Sequence, residues 1–276
     1  MSGLFKVESI EETKSAAGAS GPRGNETTAT DNTHAGHPAQ ATVSGSEPKP
    51  YDGPPWPDPM PEQAFIGPAG DLVRLIRTHS EADESALLVQ FLVAWGNALG
   101  RTAYWRTEDT QHFTNEFCVI VGQSAAARKG TSLDRVLEAF GQSDWRAERV
   151  SSGLVSGEGL VHAVRDPRHN SKGEIEDEGS ADKRLLVTES EFGGVLSALR
   201  RSENSLSAVL RNAWDGKTLR TLTKAGGRGA EKATDPHISM IAHITVDELK
   251  AKLAAHDAVN GFANRILWVA ARRSRL

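Results

Sequence analysis

A lysine, two hydroxyls and a pair of carboxylates at strand ends are the groups in this sequence best suited to chemistry. In Val119-Ile-Val-Gly-Gln-Ser-Ala-Ala-Ala-Arg-Lys-Gly-Thr-Ser132 an apolar run stops at a glycine. Small residues follow, then a lysine, then two hydroxyl residues ahead of a helical pattern. Small residues let backbone N–H groups approach an anion, and the start of a helix adds its positive end. A lysine there neutralises the β and γ phosphates, and a hydroxyl holds Mg²⁺. Gly122, Arg128, Lys129, Gly130, Thr131 and Ser132 are therefore candidates for holding ATP, and Thr131 or Ser132 for holding Mg²⁺. The spacing departs from the common phosphate loop, since Lys129 lies seven residues after Gly122 rather than six. Arg128 also takes the place of the second glycine, and Gly130 separates the lysine from Thr131. On spacing alone, a plain strand-to-helix turn with exposed basic residues explains the segment equally well.

A second apolar run, Leu185-Leu-Val187, leads into Thr188-Glu189-Ser190-Glu191. An acid at such a strand tip can bind the metal's water shell, and a neighbouring one can activate a water. Glu189 suits both roles. Glu191 can instead cap the helix that follows, where a negative charge is favourable. Ile238–Ala242 is a third strand, with His243 and Thr245 at its end; His243 is a candidate γ-phosphate sensor or a structural histidine. Arg265, in Asn260-Gly-Phe-Ala-Asn-Arg265, reads as an arginine finger acting across a subunit boundary or as a surface ion pair.

The elements that must position these groups are legible as alternating patterns. Strands are expected at 103–106, 117–121, 185–187, 238–242 and 265–269. Helices are expected around 72–76, 87–95 with Asp83 as cap, 131–140, 160–164, 191–200, 205–214 and 246–253. Buried strands alternating with helices predict an α/β fold with a mainly parallel sheet. Residues 1–60 are rich in Ala, Gly, Ser, Thr and Pro and read as a disordered tail or tether. Residues 61–110 read as a helical lead-in packed on a core at 111–276. The polar stretch 166–182 reads as a solvated loop. Ser156-Gly-Glu-Gly159 reads as a helix-capping turn or as a second ligand-facing loop.

Composition excludes several classes. No apolar run reaches the roughly 18 residues a membrane span requires. The first residues lack the basic and apolar regions of a signal peptide. One cysteine cannot make an internal disulfide or hold a structural zinc by itself, which points to the cytoplasm. The net charge of −4 resides in residues 1–60, which carry eight acids and four bases; the remaining 216 residues hold 28 of each. DNA contact thus requires a local basic element rather than a global field. Lys217, Arg220, Lys224, Arg228 and Lys232, spaced around Gly226, Gly227 and Gly229, supply a candidate DNA-gripping loop or simply a solvated one.

Taken together, Ala86–Arg101, Val121-Gly122 with Arg128-Lys-Gly-Thr-Ser132, Ser152–Leu160, Lys183–Phe192, Leu206–Gly216 and Gly261–Trp268 resemble a RecA-type ATPase module of uncharacterised-function proteins. In actinobacterial and phage-like replication proteins that module is often fused behind a primase–polymerase domain. The resemblance covers about residues 62–276. It implies a phosphate-loop ATPase core, ATP and Mg²⁺ as ligands, and an ATP-dependent, helicase-like motor on single-stranded or duplex DNA. It further implies a homo-oligomer, a hexamer among the possibilities, a primase–polymerase partner, and a domain that continues beyond Leu276. In that reading Lys129 contacts phosphates, Thr131 or Ser132 ligates Mg²⁺, and Glu189 and Glu191 form the acidic pair. His243 is then the sensor and Arg265 the finger. The competing expectations are a nucleotide- or DNA-binding module without turnover and, more weakly, a small-molecule kinase.

Overall fold

The computed structural model describes residues 56–123, 127–201, 204–221, 231–253 and 261–274. In chain order the elements begin with helices α1 (Gly67–Arg77) and α2 (Glu84–Leu99), then a hairpin of β1 (Tyr104–Thr107) and β2 (Thr110–Phe113). Next come β3 (Phe117–Val121), α3 (Lys129–Glu138), α4 (Asp144–Arg149), β4 (Val150–Ser151) and α5 (Gly157–Ala163). They are followed by β5 (Arg168–His169), β6 (Ile175–Asp177), β7 (Arg184–Glu189), α6 (Phe192–Leu199) and α7 (Leu206–Trp214). The last are β8 (Leu219–Arg220), β9 (Lys232–Ala233), β10 (His237–Ile244), α8 (Val246–Lys252) and β11 (Leu267–Ala270).

Five strands form one parallel sheet in the order β11-β3-β10-β7-β4. The fold is α/β, as the alternation of patterns predicts. After β3 the chain crosses to the far edge at β4, returns through β7 and β10, and passes β3 to reach β11. Right-handed crossovers that run in opposite directions across a sheet lay their helices on opposite faces. Accordingly α3 and α4 join α1 and α2 on one face, where Val136 and Trp145 pack with Val73, Leu87 and Phe91. On the other face Leu160 and Val161 of α5, Val195 of α6 and Leu210 of α7 form a second core.

Coverage on both faces explains why the central strands read as unbroken apolar runs. Along β3, Phe117 and Val119 enter one core while Cys118 and Ile120 enter the other. Helix α2 lies over the sheet itself. It starts on Asp83, whose carboxylate accepts from the N–H groups of Ser85 (2.9 Å) and Ala86 (3.4 Å). Its course is close enough that a side chain at Gly96 would meet the Thr114 carbonyl at 2.5 Å. Helix α2 thus packs against the sheet as a layer of the core it shares with α1, α3 and α4.

Other differences are local. Residues 263–265 form a 3₁₀ turn, so the last strand starts at Leu267 instead of 265. The exposed stretch 166–182 contains the β5–β6 hairpin, fastened by Arg165, which donates to both oxygens of Asp177 at 2.8 and 2.9 Å. The basic segment 217–232 begins and ends as the β8–β9 stem, Leu219 opposite Ala233 and Arg220 opposite Lys232. Its tip, with Lys224 and Arg228, lies outside the described residues, as do residues 1–55 of the expected tail at 1–60. No helix among the described residues is long and apolar enough to cross a membrane.

Candidate functional site

Parallel strands all finish on one side of the sheet, and ligands of open α/β sheets bind beyond those carboxyl ends. Here Val121 of β3 lies level with Ile244 of β10, and Glu189 of β7 with Ala242. One strand therefore separates β3 from β7, a span of about 10 Å. A cleft of about 610 Å³ occupies this edge. It is lined by the first turn of α3 (Arg128, Lys129, Gly130, Thr131), the tip of β7 (Ser190, Glu191), the tip of β10 (His243, Ile244) and the start of α8 (Thr245, Glu248).

An arginine occupies a left-handed backbone position at the start of α3. Arg128 is left-handed (φ 48°, ψ 31°), a conformation that glycine adopts without strain. Its guanidinium is held by Glu81 through Nε at 3.1 Å, and Glu81 also receives Arg273. The two cations hold the Glu81 carboxyl below the usual range. Gly122 is required for packing, because a Cβ would meet the Ala271 carbonyl at 2.3 Å. Residues 124–126 lie outside the described residues.

Lys129 is the first residue of α3 and donates Nζ–H bonds to the carbonyls of Gly122 (2.8 Å) and Gln123 (3.1 Å). Partial burial lowers its pKa from the usual lysine value. The two hydroxyls behind it part company. Thr131 opens to the cleft. Ser132 is fully buried and gives its proton to the Lys129 carbonyl (2.6 Å) while accepting from Gln90 Nε2 (2.7 Å). Of the two hydroxyls expected as Mg²⁺ ligands, only Thr131 lines the cleft.

The two acids also separate. Glu189 points away from the cleft, toward the turn after β4, where its Oε1 accepts from the N–H groups of Gly153 (2.7 Å) and Leu154 (2.6 Å). Glu191 lines the cleft and is also the N-cap residue of α6, where its charge faces the helix start without a side-chain capping bond. Mg²⁺ keeps several waters and takes one or two carboxylates besides substrate phosphates. Thr131 and Glu191 beside Arg128 and Lys129 fit a magnesium–nucleotide pair of that kind. Among the described residues no group of three or more His, Cys, Asp or Glu gathers into a metal site of its own.

His243 is buried, lines the cleft, and meets Gln90 Oε1 through Nε2 at 3.0 Å. Burial, with the charge of Lys129 adding to it, lowers its pKa to about 4. Arg265 is not in the cleft. It precedes β11, at the opposite end of the sheet, where it pairs with Asp215 (3.0 Å) and lies over Trp214. Ser156 is the N-cap of α5, accepting from Gly159 N–H at 3.0 Å, so the capping alternative describes that turn.

Gln90, Glu81, Ser190 and Glu248 were not anticipated. Gln90 had a signal: a polar side chain inside the apolar run Ala86–Trp95 must find a buried partner. Glu81 had none, because its partners lie 47 and 192 residues away. Compared with known proteins, the chain matches no family model and no curated protein.

Proposed function

We propose that this chain binds and hydrolyses a nucleoside triphosphate, ATP with Mg²⁺, in the cleft at the carboxyl edge of the sheet. The observation that carries the reading is the meeting of the Arg128–Thr131 turn with Glu191 and His243 across two strand spacings. Basic groups and a helix start stand on one side and an acid on the other, the arrangement phosphoryl transfer to water requires.

In this reading Arg128 and Lys129 neutralise phosphate charge. The Lys129 ammonium exchanges its bonds to the Gly122 and Gln123 carbonyls for phosphate oxygens. Thr131 contributes a hydroxyl ligand to Mg²⁺, which when bound offsets charge on the phosphates. Glu191 orients the attacking water and accepts its proton. Glu189 anchors the β7 tip to the turn at Gly153 and Leu154, and the acid of the cleft is assigned to Glu191.

Coupling of hydrolysis to DNA unwinding or translocation follows from the resemblance to RecA-type replication modules. The β8–β9 stem and its basic tip are the proposed DNA element, and a homo-oligomer with a primase–polymerase partner, acting in the cytoplasm, is the proposed setting. The decisive experiment is phosphate release by the purified chain with and without single-stranded DNA, beside its solution mass. Release stimulated by DNA supports the motor; release without stimulation supports an ATPase alone. The tie of Lys129 to two carbonyls favours a second reading, nucleotide binding without turnover. Titratable ATP binding with no release above background would establish that one instead.

A further inference from the structure

The amide of Gln90 joins Ser132, buried behind the lysine turn, to His243 of the cleft, 111 residues apart in sequence. Its Nε2 donates to the Ala86 carbonyl (2.9 Å) and to Ser132 Oγ (2.7 Å), and its Oε1 meets His243 Nε2 (3.0 Å). The Ala86 carbonyl can only accept, which sets the amide orientation: nitrogen toward α3, oxygen toward β10. An amide oxygen cannot donate, so the proton between it and the imidazole belongs to His243 Nε2. Ser132 spends its own proton on the Lys129 carbonyl and so offers Gln90 a lone pair. Gln90, Ser132 and His243 are all buried, so water does not compete for these bonds.

We propose that Gln90 is a positioning residue of the cleft: its amide holds His243 as the Nε2-protonated tautomer and fastens the first turn of α3 through Ser132, so that imidazole and Lys129–Thr131 turn are set as one unit. The inference rests on the cleft being the nucleotide site and adds a constraint on it. With Nε2 committed to Gln90 and the ring neutral, the nitrogen left to meet a ligand is Nδ1, an acceptor. The partner of His243 in the cleft is then a hydrogen-bond donor such as the attacking water, and a fully ionised phosphate oxygen does not qualify. This narrows the expected role of His243 as a γ-phosphate sensor. Burial and the Lys129 charge both favour the neutral ring. The other charged groups at the cleft are Arg128, Glu191 and Glu248.

Two readouts test the proposal on the full chain. Long-range ¹H–¹⁵N spectra of the imidazoles, with His243→Asn for assignment, report the tautomer without any nucleotide. The wild type should give the Nε2–H pattern near neutral pH. Gln90→Leu should admit the Nδ1–H tautomer alongside it, because a free neutral imidazole leans to Nε2–H without excluding Nδ1–H, and Gln90→Glu, which keeps an acceptor for the imidazole, should retain the wild-type pattern. In turnover, Gln90→Leu should lower kcat roughly 10–100-fold, the scale seen when the hydrogen-bond partner of a metal-bound histidine is removed. Nucleotide affinity by titration should fall as well, since the Lys129–Thr131 turn loses its tie through Ser132, and Gln90→Glu should recover part of kcat. An Nδ1–H pattern in the wild type, or an unchanged Nε2–H pattern in Gln90→Leu, would overturn the assignment. If Gln90→Leu does not fold, loss of the Nε2–H pattern in Gln90→Glu has the same force. A wild-type chain that releases no phosphate would remove the ATPase reading, while the spectra still decide the role of Gln90.

Discussion

Strand β10 carries a buried histidine at each end, and each leans on helix α2. His243 meets Gln90 at the carboxyl edge; His237 meets the Gly96 carbonyl through Nε2 at 3.0 Å at the amino edge. Both are held near pKa 4, chiefly by burial. A strongly shifted histidine is therefore no mark of function in this molecule, because the shift is shared and the surroundings are not. Around His237 the charges satisfy each other: Arg184 with Asp182 at 2.7 Å, Lys183 with Asp166 at 3.0 Å, Arg101 with Asp235 at 3.6 Å. Around His243, Arg128 pairs with Glu81 at 3.1 Å and Glu248 with Lys252 at 2.8 Å, but among the described residues Lys129 bonds to backbone carbonyls and Glu191 makes no capping bond. Charges paired with each other stabilise a fold, whereas Lys129 and Glu191 face the cleft without a charged partner among the described residues and are available to a ligand.

Substitution at the two ends should separate function from stability. Lys129→Ala should reduce phosphate release by about 10²–10³-fold, the scale set by losing one preorganised charge contact in a transition state. Its thermal midpoint should barely move. At the other end Asn97 donates to the carbonyls of Leu185 and His237 and to Ser239 Oγ, and accepts from Trp145 Nε1 at 3.0 Å. Asn97→Ala leaves the buried indole N–H without a partner and should cost about 3 kcal/mol in a denaturant titration, with turnover per folded molecule unchanged. A stability loss for Lys129→Ala equal to that of Asn97→Ala would erase the distinction.

The histidines supply a pH test in which both ends should behave alike. Each is neutral when folded and binds a proton near its ordinary value of 6.5 when unfolded. The unfolded chain thus takes up more protons between pH 6.5 and about 4, so stability is complete above that window and falls as pH drops through it. Each histidine should contribute a loss of about 3 kcal/mol across the window. His237→Asn and His243→Asn should each flatten the slope by a similar amount. If ATP binds as proposed, saturating nucleotide should protect the wild type across the window by more than it protects His243→Asn.

Much of this was legible because local signals and tertiary demands agree. Phe117–Val121 is a strand in sequence and structure alike, and Asp83 caps α2 as its position predicts. The segments that were not legible are those whose form is set from a distance. β4 is two residues, Val150 and Ser151, with no apolar run of its own, and it exists because Leu186 and Val187 present an open edge. Strand order, which puts β10 between the lysine turn and the acid, leaves no trace in composition. Within the site, residue types gave the candidates but not their directions. Strand alternation turns Glu189 to the Gly153 turn, and helical geometry turns Ser132 inward and Thr131 outward.

Arg265 gives the smallest expected effect and tests whether the comparison extends beyond one chain. Its guanidinium is bound by Asp215 and by the Gly261 carbonyl at 3.0 Å and lies over Trp214, at the end of the sheet where charges are already paired. Hydrogen bonds from Arg265 and Lys217 hold the Asp215 carboxyl below its usual range despite partial burial. An ion pair of this partly exposed kind is worth about 1 kcal/mol or less. Arg265→Ala should therefore lower stability by that amount and leave phosphate release unchanged at matched assembly. An arginine that completes a neighbour's site behaves otherwise, with release falling by roughly 10³-fold while the monomer's stability hardly moves. That second outcome would join the amino edge of one subunit to the cleft of the next, and paired charges there would have to be read as a resting state rather than as structure alone.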